Sequence, residues 1–116
     1  MVAQVNAQPA PLDLTEFFVA VYTDVKANGL NPEVYDGKYF AEKAIKECQL
    51  MEEGKHTPEE LIDVTIEVAS DEGGFSELDR SWVVANFIAI DRGTQYICPT
   101  YNPAVRAKLT QLGSKF

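Results

Sequence analysis

One histidine (His56), two cysteines (Cys48 and Cys98) and eighteen carboxylates are the groups from which this chain would have to build any chemistry. A lone histidine works as a general base only beside a nucleophile and a group that orients it. Nothing near His56 in sequence supplies that trio, so it reads as a solvated residue just ahead of Thr57. Cys48 and Cys98 lie fifty positions apart and outside any CxxC pattern. With a reduced cytosol as the expected setting, they read as small buried hydrophobes rather than a bridge. One histidine and two distant cysteines do not make a closed zinc site. The acidic loop from Asp71 to Asp79 resembles a calcium loop only superficially. Setting Gly73 or Gly74 at the sixth position puts Val68 or Ala69 first, where neither can ligate. The stretch Asp24 to Gly29 places Lys26 at a ligand position and Tyr35 at the twelfth. No GxGxxG, P-loop, GxSxG or HExxH occurs. The expectation is therefore a protein that is not an enzyme, with no catalytic residue, no metal and no cofactor assigned.

The carboxylates are distributed very unevenly. Residues 1–51 carry a net charge of -3, residues 52–79 carry -9 with Lys55 as their only base, and residues 80–116 carry +4. On a helix, Glu59, Asp63 and Glu67 form one row, with a rise of about 6 Å between neighbours. Like charges at that spacing repel by a few tenths of a kcal/mol per pair. The helix dipole favours Glu59, Glu60 and in part Asp63, but it does nothing for Glu67. A charge run of this kind is ordinarily a solvated face that keeps a protein soluble. The sharper reading is a surface that meets a basic partner, with complementary fields steering association. Its candidate residues are Glu59, Glu60, Asp63, Glu67, Asp71 and Glu72. Tyr96 and Tyr101, aromatics in a connector, are the next candidates for a contact. Two other arrangements use the same charges: the acidic middle of one copy could meet the basic C-terminal part of another, or the two segments could pack within one chain and need no partner.

The elements that must position these residues are marked by their ends. Asp13 and Glu16 have the form of a capping box, and Leu12 with Phe17 that of a hydrophobic staple. Leu14, Phe17, Phe18, Val21, Tyr22 and Val25 then recur at helical spacing until Asn28-Gly29. A second helix is expected from Lys38 to about Glu53, burying Tyr39, Phe40, Ala44, Cys48 and Met51. Its exposed side would carry the pairs Lys38/Glu42, Glu42/Lys46 and Lys43/Glu47. Thr57-Pro58-Glu59-Glu60 is the strongest helix start in the chain. That helix should turn Leu61, Ile62, Val64 and Val68 inward. Ser76 can cap a fourth helix reaching about Asp91, with Gly93 as its stop. Trp82 to Ile90 is apolar nearly all round, so this helix would be the central one, with Asn86 hydrogen-bonded inside. Thr94 to Tyr101 forms a connector, and Asn102-Pro103 opens a last helix that buries Val105, Leu109 and Leu112. The competing assignment is α+β. Val64 to Val68 alternates with period two, and residues 82–98 would form a C-terminal β-hairpin.

The whole is 116 residues, 46% hydrophobic and 24% charged, with a net charge of -8. That is the size and mix of one folded domain. Residues 1–11, rich in Ala, Gln and Pro, read as a flexible arm without the features of a signal peptide, and 12–116 as a single globular domain. The longest apolar run is far below the roughly 20 residues a bilayer span needs, so no membrane contact is expected. The acidic balance opposes direct binding to nucleic acid, because neutralising phosphates takes surplus Lys and Arg. The expected class is thus an all-α compact single domain of about five helices. It would act in the cytoplasm, binding a protein partner with a basic surface in a regulatory or assembly role, with a homo-oligomer possible. The alternative is a phage-type inhibitor whose carboxylates mimic nucleic-acid phosphates and block a host DNA- or RNA-handling enzyme.

Overall fold

The computed structural model describes residues 13–71 and 77–113, side chains excepted at 71 and 77–79. Their order is α1 (Thr15–Ala27), α2 (Gly37–Glu52), α3 (Pro58–Asp71), α4 (Glu77–Tyr96), a 3-10 turn (Pro99–Tyr101) and α5 (Asn102–Gly113). Among the described residues there are five α-helices and no strand, which establishes the all-α class and removes the hairpin at 82–98. The arm, Leu12 of the expected staple and the Ser76 cap lie outside the described residues.

The helix ends follow local chemistry. At the start of α3, the Thr57 hydroxyl accepts from the Glu60 N–H at 3.1 Å, while the Thr57 N–H donates to Glu60 Oε1 at 2.8 Å. This reciprocal capping box is the one the sequence announces. At the end of α1, Gly29 adopts a φ of 67°, Leu30 donates back to the Val25 carbonyl and Gly29 to that of Lys26. Gly54 closes α2 in the same way, with a φ of 71°. In both, a residue without Cβ takes the left-handed conformation that lets the last carbonyls find donors. Asp36 caps α2 through the Tyr39 N–H, at 2.9 Å. Asp13 behaves differently from expectation: its carboxylate accepts from Thr15 N–H at 2.9 Å in a tighter turn, and no side chain caps α1 at Leu14.

α4 packs against every other helix and is the axis of the fold. On one side its Ala85, Ile88 and Ala89 meet Phe17, Val21 and Val25 of α1 and Phe40 and Ala44 of α2. On the other, Ile90 meets Ile62 of α3 and Val105 of α5. Asn86 is buried as expected, donating to the Trp82 carbonyl at 2.7 Å and to the Tyr39 hydroxyl at 3.3 Å.

Four expectations are corrected. Gly93 does not stop α4; the helix runs on to Tyr96, and buried Gly93 is where the chain passes directly against Ala44 of α2. Asn102 does not cap α5: its amide donates to the Asp91 carbonyl and to Thr94 Oγ1, tying the start of α5 to α4. Val64 and Val68 do not face inward. Apolar residues surround more than half of α3, and the contacts with α4 and α5 select Ile62, Thr65, Ile66 and Ala69 instead. Finally, Cys48 and Cys98 are not two thiols. α2 and the end of α4 bring their Cα atoms to 5.9 Å, and the sulfurs form a disulfide.

Candidate functional site

Glu59, Asp63 and Glu67 follow one another at four-residue spacing along α3 and all three are exposed, but their pairing differs. Glu59 and Glu67 are exposed on α3 and make no hydrogen bond or ion pair among the described residues. Glu60 Oε1 is engaged in the capping box and lies 3.9 Å from His56 Nδ1. Asp63 is paired across the helix interface, its Oδ1 accepting from Lys108 Nζ of α5 at 3.0 Å. The Asp71 side chain and all of Glu72 lie outside the described residues. The aromatic candidates sit elsewhere. Tyr96 borders Thr15 and Val19 of α1, and the Tyr101 hydroxyl donates to the Met51 carbonyl at 3.4 Å beside the disulfide. Tyr96 thus lies on the α1 side of the fold, whereas Tyr101 packs in the disulfide cluster that Leu61 of α3 also joins.

At about 100° of turn per residue, the exposed arc of α3 runs from Glu59 and Asp63, beside α5, through Glu67 and Glu60 to Val64 and Val68. Those two valines, one turn apart, remain 45% and 46% exposed. They form one wall of a groove between α2 and α3, both of which pack on α4. Lys43, Lys46 and Leu50 of α2 form the opposite wall, Trp82 of α4 lines the groove as well, and the cavity volume is about 260 Å³.

Glu47 of α2 also lines this groove, and sequence reasoning misplaced it. The expected surface pair with Lys43 does not form; the Lys43 ammonium instead stands 5.9 Å from the centroid of the Trp82 ring. Glu47 itself is only 7% exposed, and its Oε1 is buried without a hydrogen-bond partner. Removal from water pushes its pKa up to about 7, with the positive charge of Lys43 acting in the opposite direction. The signal was present in the spacing: Phe40, Ala44, Glu47 and Met51 follow the 4-3-4 pattern of a buried stripe. A carboxyl on such a stripe is costly unless something pairs with it.

Asn86 Oδ1 is likewise buried without a partner among the described residues, whereas the arginines between helices are paired. Arg92 donates to both oxygens of Asp24, at 2.7 and 3.1 Å, and to Gln95. Arg106 donates to Asp91 at 2.8 Å. A larger cleft of about 440 Å³, lined by Phe18, Tyr22, Pro32 and Tyr35, lies beside α1 and presents mainly apolar surface. Among the described residues, no group of three or more His, Cys, Asp or Glu side chains is placed to hold a metal ion, and no helix is long and apolar enough to cross a membrane. No family model matches the chain, and no curated protein or solved structure compared with it matches.

Proposed function

We propose that the protein is a non-enzymatic binding domain that engages a basic protein surface through the exposed arc of α3. One observation carries this reading: Glu59 and Glu67, unpaired among the described residues, share that arc with the exposed pair Val64 and Val68. Charge on such a face steers and orients a partner, while desolvated apolar contacts hold it. The pairing of Asp63 with Lys108 interrupts the acidic row and gives phosphate mimicry no specific support. Both sulfurs are committed to the disulfide, which leaves no thiol nucleophile. A bridge of this kind persists in oxidising surroundings, so the working compartment we infer is an oxidising one, in place of the reduced cytosol expected from the sequence.

The test compares capture of partners by the wild type, by Glu59→Lys/Glu67→Lys and by Val64→Ser/Val68→Ser, at low and raised salt. A partner released by salt and lost from both variants supports the reading. If every retained partner survives both sets of changes, the α3 face serves solubility alone and the reading fails. Duplex DNA added as competitor identifies a mimic, because only a mimic shares its partner's nucleic-acid site.

A further inference from the structure

Glu47 lines the groove between α2 and α3, and one oxygen of its carboxyl lies occluded beneath the groove surface without a partner. Glu47 Oε1 has no donor among the described residues, although burial without one is costly. The walls above it are apolar (Leu50, Leu61, Val64, Val68) and one face is aromatic (Trp82). The cavity is smaller than the roughly 300–1,000 Å³ of sites that enclose drug-sized ligands. It therefore suits a single long side chain rather than a free metabolite.

We propose, building on the α3 reading above, that this groove receives one long cationic side chain of the basic partner, its stem between Val64, Val68 and Leu50 and its guanidinium or ammonium head meeting the Glu47 carboxyl, which turns to bring the occluded Oε1 to the groove. Three features of the site select a cation. The orphan atom is an acceptor oxygen, which calls for an N–H donor; an anion would have to face it or depend on its proton. The Trp82 face is one on which a cation rests favourably, and the chain's own Lys43 ammonium already stands there without reaching the hydrogen-bond partner below. The stem of an Arg or Lys covers apolar surface while its head stays polar, matching walls of this composition. Lys43 and Lys46 are the positive groups at the groove that oppose entry; both are long side chains on the α2 wall. Burial without a partner also leaves the Glu47 carboxyl easily protonated, and a bound cation would hold it ionised.

The test uses the full chain and n-butylguanidinium as the probe, followed by NMR of the backbone amides and of the Glu47 carboxyl carbon. The expected result is saturable shifts centred on Lys43, Glu47, Val64, Val68 and the Trp82 indole, with the Glu47 titration midpoint moving down as the probe binds. Glu47→Gln, close in shape and free of buried charge, should bind about tenfold more weakly or worse, the size of a lost charged hydrogen bond. Lys43→Met, which vacates the Trp82 face, should bind more tightly than wild type. Pentanoate, with a similar stem and the opposite charge, should leave the groove unmoved. The proposal is overturned by an unmoved Glu47 midpoint, by shifts centred elsewhere, by undiminished binding to Glu47→Gln, or by pentanoate occupying the groove instead. The two readings fail separately. A silent groove with partner capture still abolished by Glu59→Lys/Glu67→Lys overturns only the cation site. Saturable groove shifts with capture indifferent to those changes overturn only the α3 face.

Discussion

Gly93 of α4 faces Ala44 of α2 so closely that a Cβ added to Gly93 would stand 2.8 Å from the Cβ of Ala44. Neither atom can rotate away, since each is fixed by its own helix backbone. Gly93→Ala gains up to about 1 kcal/mol of helix propensity but must force α2 and α4 apart, an overpacking cost of about 1–3 kcal/mol. Net destabilisation is expected, read as a lower denaturant midpoint. Gly113→Ala is the control: nothing lies within 4 Å of its added Cβ, so the midpoint should hold or rise.

The disulfide joins residues fifty positions apart, α2 to the segment after α4. In the chain-entropy account, closing a loop of that length stabilises the fold by about 4 kcal/mol. Reduction, or Cys48→Ala/Cys98→Ala, should lower the denaturant midpoint by a corresponding amount. An unchanged midpoint under reducing conditions would show that the helix packing alone holds Met51, Tyr101 and Leu61 around that position.

Glu47 makes stability depend on pH in a direction opposite to that of an ordinary paired carboxylate. Its folded pKa, about 7, is above the ordinary value of 4.5 for a glutamate in water. Below about 4.5 both states hold the proton and the group contributes nothing. Between 4.5 and 7 the folded state keeps a proton that the unfolded chain releases, so stability falls as pH rises. Above 7 the folded state bears the full cost of a buried carboxylate, on the order of 3 kcal/mol at 1.36 kcal/mol per unit. Denaturation midpoints measured from pH 5 to 8 should decline in the wild type and flatten in Glu47→Gln, which should be the more stable protein at pH 8.

Asp24 and Arg92 tie α1 to α4 through a two-point contact, with each side chain less than a quarter exposed. The hydrogen bond to Asp24 is the main reason the Arg92 pKa is raised. Asp24→Ala leaves the guanidinium with Gln95 alone and should cost about 1–3 kcal/mol, the range for hydrogen bonds to charged groups. A cost confined to the α1 contact would appear as faster amide exchange in α1 than in α5.

Lys108 neutralises Asp63, the middle member of the acidic row. Lys108→Ala should lower stability by no more than about 1 kcal/mol, because the Asp63 side chain is half exposed and solvent screens the pair. The same change releases a third carboxylate on the α3 face. Salt-sensitive retention of a basic partner should therefore strengthen, measured as a lower apparent Kd at low ionic strength.

Which features were legible in the sequence follows from the range over which each is decided. The Thr57–Glu60 capping box and the glycine stops at Gly29 and Gly54 are completed by backbone groups within six residues, so residue order alone determined them. The central position of α4 was equally legible, because residues 82–90 are apolar nearly all round and have to be buried. Tertiary structure decided the rest. Gly93 is a helix stop or a close-packing point depending on whether Ala44 lies opposite, and Ala44 is forty-nine positions away. α3 has apolar residues around more than half its circumference, so α4 and α5 chose the face to bury and left Val64 and Val68 at a groove. The same assembly brought Cys98 to Cys48, set Lys108 on Asp63 and placed the Glu47 carboxyl out of water. Each of these depends on what stands across an interface, and only the folded chain supplies that neighbour.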